Sequence, residues 1–195
     1  MKRLLLIFML ISMLTVSIEA QEADKVSVPK MERLWKLDIG FTGVALSYDL
    51  PLSSSFLIEP SLGVGPAYTV FNGTYEARYD FVDPALHLAL AGDWYYNRSK
   101  RLTKGKPILH NSGNFVGVTF RQTSRGLIDN NYSPALLTNM HWGMSRKIDD
   151  KWLIRLKVGL GYAHDWDWDE GVIYPSIDFK FSYIFPWGLA KKPFL

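Results

Sequence analysis

The feature that most constrains this chain is a two-residue hydrophobic period that recurs from Trp35 to Phe185. Between Trp152 and Tyr162 every even position is large and apolar: Trp152, Ile154, Leu156, Val158, Leu160 and Tyr162. The odd positions there include Arg155, Lys157, Gly159 and Gly161. Successive side chains of a strand point to opposite faces, so this alternation describes strands with one apolar and one polar face. Apolar residues do not recur every third or fourth position, and no amphipathic helix of useful length is legible past residue 20.

The pattern repeats along the chain. Trp35, Leu37, Ile39 and Phe41 alternate with Lys36, Asp38 and Thr42, and after Gly43 the phase inverts to Val44, Leu46 and Tyr48, which a bulge at Gly43 would explain. Turn chemistry separates the later runs: Asn72-Gly73 suits a type I′ hairpin, and Asp83-Pro84 and Asp149-Asp150 suit tight connections. Segments bounded in this way give about eight strands, near residues 34 to 50, 56 to 70, 75 to 82, 85 to 97, 113 to 122, 134 to 147, 151 to 166 and 171 to 185, an even number as single-chain outer-membrane barrels have. The short third segment could instead extend the fourth, leaving seven strands and placing the two chain ends on opposite sides. The expected fold is all-β, an antiparallel up-and-down transmembrane β-barrel spanning residues 34 to 185.

Alternation alone does not say which face points outward, because soluble barrels turn the apolar face in and membrane barrels turn it out. The polar face decides. It carries Asp38, Glu59, Arg78, Asp93, Arg121, Arg155, Lys157, Asp178 and Lys180 among Gly, Ser, Thr and Ala, a mixture suited to a narrow lumen in which opposite charges pair. Aromatic residues cluster at the expected strand ends, namely Trp35, Trp94, Tyr96, Trp152, Tyr162, Trp166, Tyr183, Phe185 and, just beyond, Trp187. An ordinary aromatic core would account for any one of them; as a set they suit two interfacial girdles.

The first residues add a location. Met1-Lys2-Arg3 precedes an apolar run from Leu4 to Val16 and a small residue at Ala20, the layout of a cleaved signal peptide over residues 1 to 20. That run is shorter than the roughly 20 residues a spanning helix needs. Cleavage would remove Lys2, Arg3 and Glu19, leaving 20 basic and 18 acidic side chains from the original 22 and 19, too even a balance to favour nucleic acid. The chain contains no cysteine, so neither a lipid-modified N-terminal cysteine nor a disulfide framework is available. A polar segment, 21 to 33, leads into the barrel, and a tail, 186 to 195, follows it.

The signal peptide, the glycine-spaced strand centres Gly63 to Gly65 and Gly159 to Gly161, Trp94-Tyr95-Tyr96-Asn97 before a basic stretch, and the aromatic last strand resemble small outer-membrane β-barrel proteins of Gram-negative bacteria. The resemblance implies insertion by the barrel-assembly machinery and contact with outer-membrane lipids and lipopolysaccharide. The tail running past Phe185 departs from the aromatic terminus common in such proteins. The expected role is structural, or binding by exterior loops, in the cell envelope, porin-like in architecture but with a plugged lumen, non-enzymatic and without a cofactor. Alternatives are a lipid-modifying hydrolase or acyltransferase and an exported soluble barrel carrying a lipophile.

Chemistry-bearing motifs are sparse. His141 or His164 with a nearby serine is the enzymatic possibility, although no Gly-x-Ser-x-Gly elbow is present. Asp165, Asp167 and Asp169 alternate along one stretch and, if extended, would offer oxygen ligands to calcium from one face; a tight exterior hairpin with Trp166 and Trp168 at the interface is the competing reading. Residues 97 to 114, with Arg98, Lys100, Arg101, Lys104 and Lys106, read either as a solvated periplasmic loop or as a contact for anionic headgroups or a periplasmic polymer.

Overall fold

A computed structural model describes residues 27 to 129 and 132 to 186. The segment expected as a signal peptide, most of the polar lead, Trp187 and the rest of the tail lie outside the described residues. Ten strands form: β1 (Leu34–Gly40), β2 (Gly43–Pro51), β3 (Phe56–Gly65), β4 (Ala67–Phe71), β5 (Thr74–Arg78), β6 (Ala85–Trp94), β7 (Gly113–Gly126), β8 (Ala135–Lys147), β9 (Trp152–Asp165) and β10 (Glu170–Ile184). Eight close into an antiparallel barrel in the order β1-β10-β9-β8-β7-β6-β3-β2, and β4-β5 is a separate hairpin. A short helix, α1 (Arg98–Thr103), sits between β6 and β7.

The barrel therefore has the expected number of strands, but three expected segments are divided or displaced, and the end of the one at 56 to 70 leaves the wall as β4. Residues 34 to 50 are two strands: Gly40 pairs with Gly43 across the turn at Phe41-Thr42. The phase inversion after Gly43 is thus a chain reversal, not a bulge. A Cβ at Gly40 would lie 2.0 Å from the Phe179 carbonyl oxygen, and Gly43, at φ +92°, would place one 2.1 Å from that of Val64. Only glycine fits so tight a reversal. Conversely, the segment expected as a third wall strand, 75 to 82, lies in the β4-β5 hairpin, outside the wall. That hairpin turns at Asn72 (φ 50°) and Gly73 (φ 69°), the paired positive angles that Asn-Gly foretold.

Both described chain ends lie at one rim, here the near rim, together with the β2-β3, β6-β7 and β8-β9 connections. The wall is two-faced throughout. Apolar side chains such as Leu88, Met140, Leu160 and Ile177 project outward and are 61%, 68%, 64% and 62% exposed. The charged set of the wall strands projects inward and is buried, with Asp178 partly so. Trp35, Trp94, Tyr96, Trp152, Tyr183 and Phe185 ring the outside of the near rim, joined by Tyr48 and Trp142; the Trp142 indole donates to the Tyr96 hydroxyl at 2.8 Å. Tyr162 and Trp166 stand at the far rim. From Trp152 to Tyr162 the outer face of β9 runs roughly 33 Å at ~3.3 Å per residue, or about 23 Å along the axis at a tilt of ~45°.

Candidate functional site in the lumen

Inward positions of successive strands stack into three layers. At the near rim Leu34, Leu153 and Ile184 form one apolar cluster, while Met31, from the N-terminal segment, joins Leu57, Tyr95 and Phe115 in another. The N-terminal segment is held there by polar contacts. The amide of Glu32 donates to Asn111 Oδ1 at 2.8 Å, the Glu32 carboxylate meets His110 Nδ1 at 3.0 Å, and Arg98 donates to the carbonyls of Pro29 and Ile108. Burial acts to raise the Glu32 pKa, yet the hydrogen bonds and positive charge of His110, aided by Arg98, hold it below the ordinary glutamate value. Part of the basic stretch is thus a cap over the barrel. Its remainder, Lys100, Arg101, Lys104 and Lys106, surrounds a polar hollow completed by Arg146.

The middle layer is ionic. Lys36 Nζ lies 2.5 Å from both Asp49 and Glu59; Lys180 lies 3.3 Å from Glu59 and 3.4 Å from Asp38; Arg155 also pairs with Glu59 and donates to the Tyr95 hydroxyl at 2.9 Å. Asn111 donates to Asp49 at 2.9 Å, tying the near cap to this layer. Lys157 stands 3.7 Å from Asp93, which also accepts His141 at 2.9 Å. Farther along, Arg121 and Asp178 are 3.9 Å apart. Cations and carboxylates buried in apolar walls cost several kcal/mol each unless paired, so this mutual neutralisation is what permits the layer to exist. Small residues make room for it: a Cβ at Gly117 would lie 2.3 Å from Asp93 Oδ1.

The far layer is aromatic. Tyr68 and Val70 of the β4-β5 hairpin pack on Ala135, Leu137, Ala163 and Tyr174, inward residues of β8, β9 and β10. Tyr75 stacks on Tyr174 with ring centroids 4.0 Å apart and on Tyr68 at 5.7 Å. Asp165 pins the hairpin by accepting the Val70 amide at 3.2 Å. The hairpin is a plug seated in the far mouth.

Of the charged side chains expected in the lumen, Asp38, Glu59, Asp93, Arg121, Arg155, Lys157, Asp178 and Lys180 are gathered there. Arg78 is not. It belongs to the plug hairpin, faces solvent and pairs with Glu76. Lys36, Asp49 and His141 join the network, and all three stand on polar faces of the alternating pattern.

The three aspartates of the far loop do not converge. Asp165 is buried and accepts the amides of Asp167 and Trp168, so the segment is a turn rather than an extended chain. Asp167 makes a two-pronged pair with Arg125 at 2.6 and 2.7 Å, and Asp169 points away with only His164 near, at 3.7 Å. Among the described residues no group of three or more potential metal ligands forms. The histidines are also separated. His141 is inside, with Nε2 on Asp93 and Nδ1 without a partner, while His164 lies on the outer face of β9, edge-on to Trp166.

Comparison of the chain with family models, with curated proteins and with solved structures returns no match.

Proposed function

We propose that this chain is an integral outer-membrane β-barrel protein of the Gram-negative envelope, exported by its cleaved N-terminal segment, closed to bulk transport and non-enzymatic in role. One observation carries the reading: the closed wall turns its apolar side chains outward and buries its ions. In water such a belt would be an adhesive surface far beyond the few hundred Å² a monomer ordinarily leaves exposed. In a bilayer it is the required lipid-facing surface, and closure pairs most of the wall's backbone groups. The belt height of about 23 Å is close to the roughly 25 Å of outer-membrane barrels. A soluble lipophile carrier needs the opposite orientation, with apolar residues lining the lumen.

The cap, the ionic layer and the plug together support a closed lumen, leaving envelope structure or binding by the exposed far loops as the role. The enzymatic alternative has the His141-Asp93 pair in its favour, but among the described residues no hydroxyl is hydrogen-bonded to that histidine. Membrane fractionation with heat-modifiable gel mobility tests the main reading. The protein should need detergent for extraction and should migrate faster unboiled than boiled. A chain that stays monodisperse in buffer without detergent overturns it. Replacing His141 and His164 by Ala and analysing lipid A tests the alternative, for which altered lipid A in the variants would be required.

A further inference from the structure

The wall is not uniformly paired. β1 ends at Gly40 opposite Lys180, and the last backbone link on that side is the Phe41 amide donating to the Phe179 carbonyl at 3.0 Å. β10 continues to Glu170 with β9 as its neighbour and, among the described residues, no strand on its other side. Because polar backbone groups alternate along a strand, those of Ile177, Pro175 and Ile173 share the direction of Phe179 and point to this open side. Pro175 has no N–H, so one donor that would otherwise be stranded there is absent, as suits a proline on an edge. The opening lies within the apolar belt, since Ile177 is level with Val158 and Ile173 with Tyr162.

Behind it is a cavity of about 240 Å³. Phe41, Thr42, Tyr79, Pro175 and Ile177 border its mouth, and Tyr79 donates to the Phe41 carbonyl at 2.8 Å, bracing one side. Its inner wall includes Arg121, Lys157 and His141. Arg121 is only 6% exposed and its Nε–H has no hydrogen-bond partner; the same holds for Nδ1 of buried His141. Asp178, 3.9 Å from Arg121, is the single acid among the described lining residues and leaves one carboxylate oxygen without a hydrogen bond, while Lys157 faces Asp93 at 3.7 Å from behind the lining. A buried donor left without an acceptor is costly, and a guanidinium is best satisfied by an oxyanion.

We infer that this lateral window is a binding site for a single-chain anionic amphiphile, a fatty carboxylate, whose head sits between Arg121 and Lys157 and whose chain leaves past Phe41 and Ile177 into the surrounding hydrocarbon. The cavity lies below the roughly 300 Å³ at which drug-sized pockets begin. A carboxylate and its first methylenes fit; a phosphorylated sugar head does not. Lateral entry rests on the membrane reading above, whereas the head site rests on the cavity alone.

The test uses the exported full chain in zwitterionic micelles, titrated with sodium decanoate, with decanol and decyltrimethylammonium as controls. Calorimetry should show one saturable decanoate site that neither control occupies. The side-chain Nε–H resonance of Arg121, assigned with Arg121→Lys, should shift on binding. Arg121→Gln should weaken affinity roughly tenfold or more, the worth of one charge-assisted hydrogen bond. Ser176→Phe fills the cavity from β10 without touching the cations and should abolish binding, with heat-modifiable mobility reporting that each variant is folded. Decanoate uptake no different from micelle partitioning, equal affinity in folded variants, or equal competition by the cationic amphiphile overturns the site. A barrel that inserts but does not bind sinks only this inference; one that binds while dissolved without detergent sinks the membrane reading instead.

Discussion

Glu59 is the residue on which the ionic layer turns, because Lys36, Arg155 and Lys180 all donate to it. Removing one partner of a buried pair strands the others and costs about 3–5 kcal/mol. Glu59→Ala should therefore lower the temperature at which unboiled mobility is lost by far more than truncating any one outward leucine. Equal effects would mean that the layer is solvated. Glu32 makes a weaker, pH-dependent contribution at the near rim. Its pKa is held below the unfolded value by His110 and Arg98 against the effect of burial, so its contribution is present above the ordinary glutamate range near ~4.3 and fades as pH falls through the lower folded value. The protection factor of the His110 amide, which donates to Glu32 at 3.0 Å, should fall on acidification, once exchange is corrected for its intrinsic pH dependence, while wall amides stay protected.

At the scale of elements, the β4-β5 hairpin is a plug and not a wall strand, and the two assignments make opposite predictions. Gly73→Val forces a branched side chain to φ 69°, costing about 1–2 kcal/mol. The plug should become sensitive to protease over residues 67 to 82 while the barrel's thermal transition is unchanged; failure of the whole barrel to assemble would return these residues to the wall. The misassignment has a physical origin. A hairpin that buries one face against a lumen has the same two-residue period as a wall strand, so Tyr75, Ala77 and Tyr79 carry no mark of where they pack. The β1-β2 turn was hidden for another reason, since Phe41-Thr42 lacks Asn, Asp or Pro and its glycines flank it. What was legible was facing: Asp38, Glu59, Arg155 and Lys180 follow from alternation because one register fixes them all. What was not legible was depth, and so neither the convergence on Glu59 nor the window beside Pro175 could be read from order along the chain.

For the whole molecule, the orientation of the wall predicts where charge is tolerated. Met140 sits in the middle of the outer face and is 68% exposed. Met140→Arg should destabilise folding into phospholipid vesicles by about 2–4 kcal/mol, as cations at the midplane of such barrels do. In a soluble barrel the same exposed substitution would change stability by no more than about 0.5 kcal/mol, so urea titration in vesicles separates the two.

The meeting of the first and last strands has a consequence for how the cylinder is made and lost. β1 and β10 pair only from Lys36 with Ile184 to Gly40 with Lys180, whereas β9 and β10 are zipped from Glu170 to Tyr183. The short suture joins segments far apart in sequence, so it bears the largest loop-closure entropy for the fewest ladder bonds. It is the final stitch of assembly and the first to part. With no native cysteine to interfere, a Leu37→Cys, Tyr183→Cys staple across facing positions should slow unfolding more than a matched staple between β8 and β9.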